Sequence, residues 1–307
     1  MEGGLADVVA LGECMLEVGV LGPSQAALGY AGDTFNTAVY MRRLGHSVAY
    51  ATAVGSGDPF SEGILGLMRD EGMDASLVRQ MEGRLPGVYA IDRDAAGERR
   101  FFYWRKDSPA RDYMAVADHD ALSRAMPAAK LVYVSGVTLA VFGEAGRTAL
   151  GELLTQARAA GAAVALDPNY RPQLWRDGAE ARSALEAVVP LCRYISTGAA
   201  DVEMLYGDVG QARVWAEQGA EVVLRAHDHA ATIYAGGETT RLAPDPPVRA
   251  LDTTGAGDAF NAGYLHRRLS GREPRDAVRG GRRLANLVVQ HIGAIIPRAA
   301  ILAVQGV

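Results

Sequence analysis

Cysteine is nearly absent. Only Cys14 and Cys192 occur in 307 residues, one inside an expected strand and one at the mouth of another, which argues against a disulfide framework and for a reducing, cytoplasmic setting. Long apolar runs are missing too. No stretch approaches the roughly eighteen uninterrupted apolar residues of a membrane span, and Glu2 and Asp7 bracket only a short opening run, so neither a membrane partner nor a secretory leader is expected. Positive charge has no surplus: the formal net charge is -5, which speaks against nucleic acid as the main partner. Lysine is confined to Lys106 and Lys130, so nearly all positive charge is arginine. Beside so much alanine and glycine this reads as compositional drift. The basic cluster Arg267, Arg268, Arg272, Arg275, Arg279, Arg282 and Arg283 is interrupted by Glu273 and Asp276 and reads as a solvated helical face.

What is present is the composition of an ordinary globular protein, 49% hydrophobic and 22% charged, able to bury a sizeable core. The length suggests about two domains, or one large α/β domain with an elaboration. The most informative stretch is Leu251-Asp-Thr-Thr-Gly-Ala-Gly-Asp-Ala-Phe260, followed by apolar residues at helical spacing, which reads as a loop opening a helix. Gly255 and Gly257 lack the Cβ that would keep an anion from consecutive backbone N–H groups, and those donors lie at the positive end of the helix dipole. The site therefore suits phosphate. A carboxylate there, Asp258, would repel that anion unless it takes a proton from an attacking hydroxyl, which is the arrangement of phosphoryl transfer. A plain helix cap is the alternative.

In chain order, Val8 to Leu16 reads as a buried strand and a Gly/Pro loop follows. Ala31-Gly-Asp-Thr-Phe-Asn36 then opens a helix to about Leu44, capped by Asp33 or Thr34 and packed through Phe35, Ala38, Val39 and Tyr40. Gly32 would admit a ligand to the backbone, with Asp33 and Asn36 about one turn apart. Val48 to Val54 reads as a strand. Gly55-Ser-Gly-Asp-Pro-Phe60 fails the dinucleotide fingerprint, because Phe60 replaces its third glycine, and helix 61–71 follows. Residues 87–105 read as a hairpin turning at 93–98, with Phe101, Tyr103 and Arg105 on one face and Phe102 and Trp104 on the other. Two aromatic faces imply a lid over a cleft and, behind it, a partner subunit, with burial against the chain's own domain as the alternative. From Leu131 the pattern alternates: strand 131–134, helix 145–160, strand 163–166, helix 179–188, strand 194–196, helix 209–218, strand 222–224. That alternation predicts a mostly parallel sheet wound on both sides by helices, with ligands beyond the carboxyl ends of the strands. Asn169 and Arg171, in Asp167-Pro-Asn-Tyr-Arg-Pro-Gln-Leu-Trp175, leave such an end.

The run from Asp252 to Phe260 resembles the C-terminal signature of the ribokinase-like (PfkB) carbohydrate kinases, and Ala31-Gly-Asp-Thr-Phe-Asn36 resembles their sugar-gripping motif with alanine at its first position. The resemblance implies a single ribokinase-like α/β domain over 1–307, a β lid from about 15–30 and 86–106, and transfer of the γ-phosphate of ATP to a sugar hydroxyl. Arg84 to Tyr89, Phe102 to Arg105, Asp167 to Trp175 and Gly293 to Arg298 further resemble the 2-keto-3-deoxygluconate kinases of that family. By that likeness the substrate would be held by Gly32, Asp33, Asn36, Tyr89, Tyr103, Arg105, Asn169 and Arg171. Asp258 would be the base for the C6 hydroxyl, with Gly255, Ala256 and Gly257 as the anion hole. Nucleotide contacts would come from Asp201, Arg225, Gly255, Gly257 and Asn286. Mg2+ would arrive with ATP rather than on a metal site of the protein's own, a monovalent cation would fit the family, and a homo-oligomer would form through the lid. Two segments depart from the pattern. Gly198-Ala-Ala-Asp201 stands for Asn/Ser-x-x-Glu, and Arg225-Ala-His-Asp-His-Ala230 for Lys-x-Gly-x-x-Gly. A kinase for another sugar acid or a ketose, and a sugar-acid-binding protein with decayed ATP chemistry, are the alternatives.

Overall fold

The structure is a computed structural model and describes residues 6–22, 24–93 and 99–302. The chain opens with strand β1 (Val8–Leu11), β2 (Met15–Gly22) and β3 (Gln25–Ala31), helix α1 (Asp33–Arg43), strands β4 (Val48–Ala51) and β5 (Ala53–Ser56), and helix α2 (Pro59–Glu71). Strand β6 (Arg79–Glu82), the pair β7 (Val88–Arg93) and β8 (Arg99–Trp104), and helices α3 (Tyr113–Val116) and α4 (His119–Ala128) follow. An alternating run comes next: β9 (Leu131–Ser135), α5 (Gly136–Ala159), β10 (Ala163–Asp167), α6 (Gly178–Val188), β11 (Tyr194–Gly198), α7 (Ala199–Tyr206), α8 (Gln211–Glu217) and β12 (Glu221–Arg225). Strands β13 (Ala231–Ala235) and β14 (Glu238–Leu242) precede α9 (Ala256–Leu269), α10 (Pro274–Val288) and α11 (Arg298–Leu302).

Eight strands form the main sheet in the order β14-β13-β12-β11-β10-β9-β1-β4. Its pairs from β4 to β12 are parallel, and β13 and β14 add an antiparallel edge. Side chains alternate across a strand, and here the alternation divides the protein into two cores. Val9, Leu11, Val132, Val134, Val164 and Leu166 pack under α4 to α8, while Val8, Ala10, Leu131, Tyr133, Ala163 and Ala165 pack under α1, α9 and α10. This is the doubly wound, mostly parallel α/β class that the alternation predicts. Among the described residues no helix is long and apolar enough to cross a membrane, and both cysteines are buried and unpaired.

Several local expectations are corrected. Val8 to Leu16 is not one strand: pairing with β4 and β9 ends by Leu11, and the chain re-forms as β2 in a four-stranded sheet ordered β3-β2-β7-β8. The break falls where Gly12 lies so close to Thr34 that a Cβ would meet its Oγ1 at 2.2 Å. The expected Gly/Pro loop is the β2–β3 hairpin, whose Ala- and Gly-rich second strand carries little strand propensity. The strand expected over 48–54 divides at Thr52, with β5 pairing to β6 instead. Helix α1 starts without a side-chain cap, Gly32 standing at its N-cap in place of Asp33 or Thr34. The helix expected from about 145 is preceded by a short helical segment that starts at Gly136 behind a Ser135–Thr138 capping box, and α5 joins the two across a kink at Gly143, φ 65°. The small sheet covers 15–31 and 88–104, close to the expected lid segments. The hairpin turn at 94–98 lies outside the described residues.

Helices α9 and α10 cross through glycine. A Cβ on Gly263 would lie 2.7 Å from the carbonyl oxygen of Gly280, and one on Gly281 2.7 Å from that of Phe260. Backbone against backbone leaves no flexible side chain to yield, so Gly263→Ala is expected to cost about 1–3 kcal/mol, the range for overpacking a tight core. Chemical denaturation of the variant measures it, and an unchanged midpoint would mean the crossing is looser than described.

Candidate active site

The carboxyl ends of the parallel strands open into one cleft of about 590 Å3, roofed by the small sheet. Asp167 ends β10 and Arg225 ends β12; Gly32, Asp33 and Asn36 stand at the start of α1, and Gly255 to Asp258 at the start of α9. From the small sheet come Tyr89, Phe101 and Tyr103, with Arg105 just beyond β8. Tyr89 and Tyr103 stack with ring centroids 5.9 Å apart, and Phe101 continues the stack 6.4 Å from Tyr103. The expected parity of the hairpin is what is seen: Phe102 and Trp104 turn to the opposite face and are exposed. Asn169, Arg171 and Asp201 also line the cleft. Asn286, on α10, is not among its lining residues.

Asp258 faces the cleft and is not a helix cap. Gly255 is the N-cap, at φ 75°, and no side-chain oxygen caps α9. A Cβ at Gly255 would meet the Ala294 carbonyl at 2.8 Å, so close approach and backbone angle both require glycine. The Asp258 carboxylate accepts a hydrogen bond from Asn36 Nδ2 at 2.8 Å. Burial pushes its pKa well up, and the neighbouring carboxylates of Asp33 and Asp167 push it further, against the Asn36 bond and the positive charge of Arg171. Asp252, by contrast, is occupied with the turn: it accepts from Thr254 N at 2.9 Å, Thr254 Oγ1 at 2.7 Å and Gly293 N at 3.1 Å.

Other expected site residues have partners of the chain's own. Asp33 accepts from Asn169 Nδ2 at 2.8 Å, and Asn169 sits at φ 33°, a left-handed conformation that asparagine tolerates. Gly32 is needed because the Glu13 carbonyl lies 2.0 Å from where a Cβ would be, so backbone rather than ligand fills that approach. Arg105 is buried in an ion pair with Glu13. Arg171 reaches Asp201 at 3.1 Å, joining a residue expected on the sugar side to one expected on the nucleotide side. Sequence reasoning passed over Glu13, Asp167, Ser196 and Asn261 as site residues. Asn261 stood one helical turn beyond Asp258 and could have been found by that spacing. Glu13 carried no signal beyond ending a strand. The basic cluster read as one solvated face is divided: Arg268 pairs with Glu221 at 2.8 Å and Arg282 donates to Ala243 O at 2.6 Å, while Arg267, Arg272, Asp276, Arg279 and Arg283 line a separate cavity of about 310 Å3.

An anion-ready helix start, a basic carboxylate and a polar roofed cleft at the strand ends describe a phosphotransferase acting on a small polar substrate. Residues 5–300 match the pfkB family carbohydrate kinases, and the chain belongs to that family. It is 36% identical to the 2-dehydro-3-deoxygluconokinase of Dickeya dadantii (strain 3937) over 96% of this chain and 98% of that one. Among solved structures, the PfkB protein from Polaromonas sp. JS666 superposes with a TM-score of 0.83 at 27% identity, covering 97% of this chain and all of that one. A putative ribokinase II from E. coli, in complex with ATP and Mg2+, gives 0.82 at 22% identity with 95% of each chain covered.

The raised pKa of Asp258 carries a stability consequence. A carboxyl whose folded pKa lies above its unfolded value favours the fold below the unfolded pKa, and that contribution is lost as pH rises through the folded one. The ligand-free protein should therefore lose stability upward from about pH 4, and Asp258→Asn should remove part of that slope. At pH 7 the variant's Tm is expected to rise above that of the wild type. Thermal scans of both proteins from pH 4 to 8 measure it; parallel curves would contradict the crowding of carboxylates.

Proposed function

We propose that this kinase transfers the γ-phosphoryl group of ATP to the C6 hydroxyl of 2-keto-3-deoxygluconate. The observation that carries the reading is the wall beneath Tyr89 and Tyr103, where Arg105 Nε and Glu13 Oε1 are buried without a hydrogen-bond partner. Such groups cost about 1–3 kcal/mol each until something bonds them, and an acid sugar offers a carboxylate to the guanidinium and hydroxyls to the carboxylate. Arg171, on the same cleft, is half exposed and can trade Asp201 for a ligand carboxylate. The name of the Dickeya relative supports the same substrate.

In this reading Asp33, Asn36 and Asn169 fix the sugar hydroxyls, and Asp258 accepts the proton of the C6 hydroxyl as its oxygen attacks. The amides of Gly255, Ala256 and Gly257 hold the transferring group at the positive end of α9. Ala256 N now bonds Thr253 O at 3.3 Å, a long contact that an anion could outcompete. Asp201 and Arg225, which line the cleft, would meet the nucleotide's phosphates, and Asn286, on α10 outside that lining, its base. A metal riding on phosphate oxygens would have the Asp201 carboxylate nearby on the cleft wall. Mg2+ bound there would offset phosphate charge. The small sheet acts as a lid, and the enzyme works in the cytoplasm, where its two buried thiols stay reduced.

Asp258→Asn should lower kcat by about a hundred- to ten-thousand-fold, as loss of a general base does, and the acid limb of the wild-type pH profile should lie above the ordinary carboxylate range because Asp258 titrates high. A coupled ADP-release assay with 2-keto-3-deoxygluconate and MgATP reads both, and wild-type-like turnover in the variant would remove Asp258 from the mechanism. One observation favours a second reading, a neutral ketose: both arginines already face carboxylates of the chain. A panel of acid and neutral sugars decides, with Arg171→Ala expected to raise KM most for acid sugars.

The outer face of the lid supports a homo-oligomer. Val20, Leu28, Phe102 and Trp104 are 41%, 63%, 44% and 63% exposed, a contiguous apolar sheet face of the kind soluble monomers avoid. A second copy of the chain, meeting it lid to lid, would cover it. Light scattering should give twice the chain mass for the wild type and the chain mass for Phe102→Glu with Trp104→Glu; a monomeric wild type would sink the proposal.

A further inference from the structure

Arg225 occupies an unusual position for a charged side chain at the end of a sheet strand. Its Nη1 donates to Ser196 Oγ at 2.5 Å and to Asn261 Oδ1 at 2.8 Å. Its guanidinium lies over the Phe260 ring, 5.2 Å from the centroid, and Nη2 stands 3.7 Å from Asp167 Oδ2. The amide of Asn261 is fixed in orientation, because its Nδ2 donates to Asp167 Oδ2 at 2.7 Å and to the Tyr133 hydroxyl at 3.0 Å, leaving only its oxygen for the arginine. Asn261 is fully buried and Asp167 almost so. A guanidinium anchored by four groups cannot swing as a lysine would.

The open side of that fork faces the anion loop. A Cβ on Gly257 would stand 3.7 Å from Arg225 Nη2, and Arg225 lines the cleft with 22% of its side chain exposed. An ion pair serving only the fold would be closed off from the cleft. Moreover, two of the anchoring residues, Phe260 and Asn261, belong to the helix that carries Asp258, so base, anion loop and cation are held by one rigid element.

We propose that Arg225 is a fixed cation beside the transferring phosphoryl group, and that Asp167 and Asn261 are positioning residues that hold it there. The inference rests on the kinase reading but not on the choice of sugar. In the step it serves, the bond from the sugar hydroxyl oxygen to the γ-phosphorus forms, the bond from that phosphorus to the bridging oxygen breaks, the electron pair leaves with ADP, and the hydroxyl proton passes to Asp258. Charge shifts onto the bridging oxygen as that bond loosens, and a cation set in place beforehand stabilises it more than it stabilises bound ATP. Asp167 supplies the counter-charge that makes burial of the guanidinium affordable, and Asn261 relays its direction.

The test is steady-state kinetics with whichever acid or neutral sugar the wild type phosphorylates best, so that an error about the sugar does not enter. Arg225→Gln should lower kcat about a hundred- to a thousandfold with KM for the sugar within about threefold, and Arg225→Lys should recover part of it. Asp167→Asn should lower kcat about ten- to a hundredfold, and the double variant Arg225→Gln, Asp167→Asn should be no slower than Arg225→Gln alone, since residues acting as a unit are not additive. Millimolar methylguanidinium should restore turnover to Arg225→Ala, a readout that survives if Asp167→Asn fails to fold. A kcat within threefold of wild type in Arg225→Gln, a loss confined to KM, multiplicative loss in the double variant, or no rescue would each overturn the proposal.

Discussion

The hydrogen bond from Asn36 to Asp258 ties the two halves of the cleft together. It joins the first turn of α1 to the first turn of α9 across the end of the sheet, and Thr37 adds a second tie by donating to the Asp258 carbonyl at 3.3 Å. A carboxylate that is both half-buried and crowded by Asp33 and Asp167 would otherwise turn toward water or stay protonated. The Asn36 donor favours the charged form and fixes which oxygen remains open to the cleft. That orientation holds only if α9 cannot slide, and the glycine crossing with α10 together with the Tyr40 hydroxyl, which donates to Ala294 O at 2.6 Å behind the loop, limits that freedom.

Around this contact the charges are arranged in pairs. Glu13 faces Arg105, Asp201 faces Arg171, and Asp167 faces Arg225. Each pair moderates the cost of a buried charge, and each presents one cation to the cleft at a different depth, from under the lid tyrosines to beside the anion loop. Among the described residues no ion pair takes in Asp33 or Asp258. Those two carboxylates instead accept from neutral amides, Asp33 from Asn169 and Asp258 from Asn36.

Much of this was legible from the chain. The strands from β9 to β12 have clear apolar runs set apart by helices, so the sheet and the location of the cleft at its strand ends follow from periodicity. The glycines of the 255–257 loop and the carboxylate after them announce anion chemistry, and at Gly255 the left-handed backbone and the nearness of Ala294 admit no side chain. The hairpin parity of Phe101 to Arg105 is a matter of counting by two. What stayed hidden depends on partners distant in sequence. Nothing in Val8 to Leu16 tells that Gly12 must clear Thr34 and end the strand, and nothing in Gln25 to Ala31, rich in alanine and glycine, signals a strand held by its neighbour β2. Arg105 and Arg171 could be assigned to a cleft from their motifs, but not to Glu13 and Asp201, since pairing of charges is settled by three-dimensional proximity. Asn286 shows the converse: its place in a motif does not put it in the wall of the cleft.

Helix α9 shows how one short sequence meets these demands at once. Gly255 supplies the left-handed turn, Gly257 leaves the space that faces Arg225, and Asp258 projects to the cleft. Phe260 and Asn261, on the following turn, reach Arg225, while Gly263 lets α10 approach. Helical geometry steps these positions around the axis by 100°, so Asp258 and Asn261, three apart, share the face toward the strand ends while Gly263 meets α10 on another. An insertion or deletion anywhere between Gly255 and Gly263 would rotate one set of contacts against the others. The ten residues from Asp252 to Asn261 therefore carry more of the site than any other segment of comparable length, and the two cores, the crossing helix and the roof serve to hold that segment in register with α1 and the end of β12.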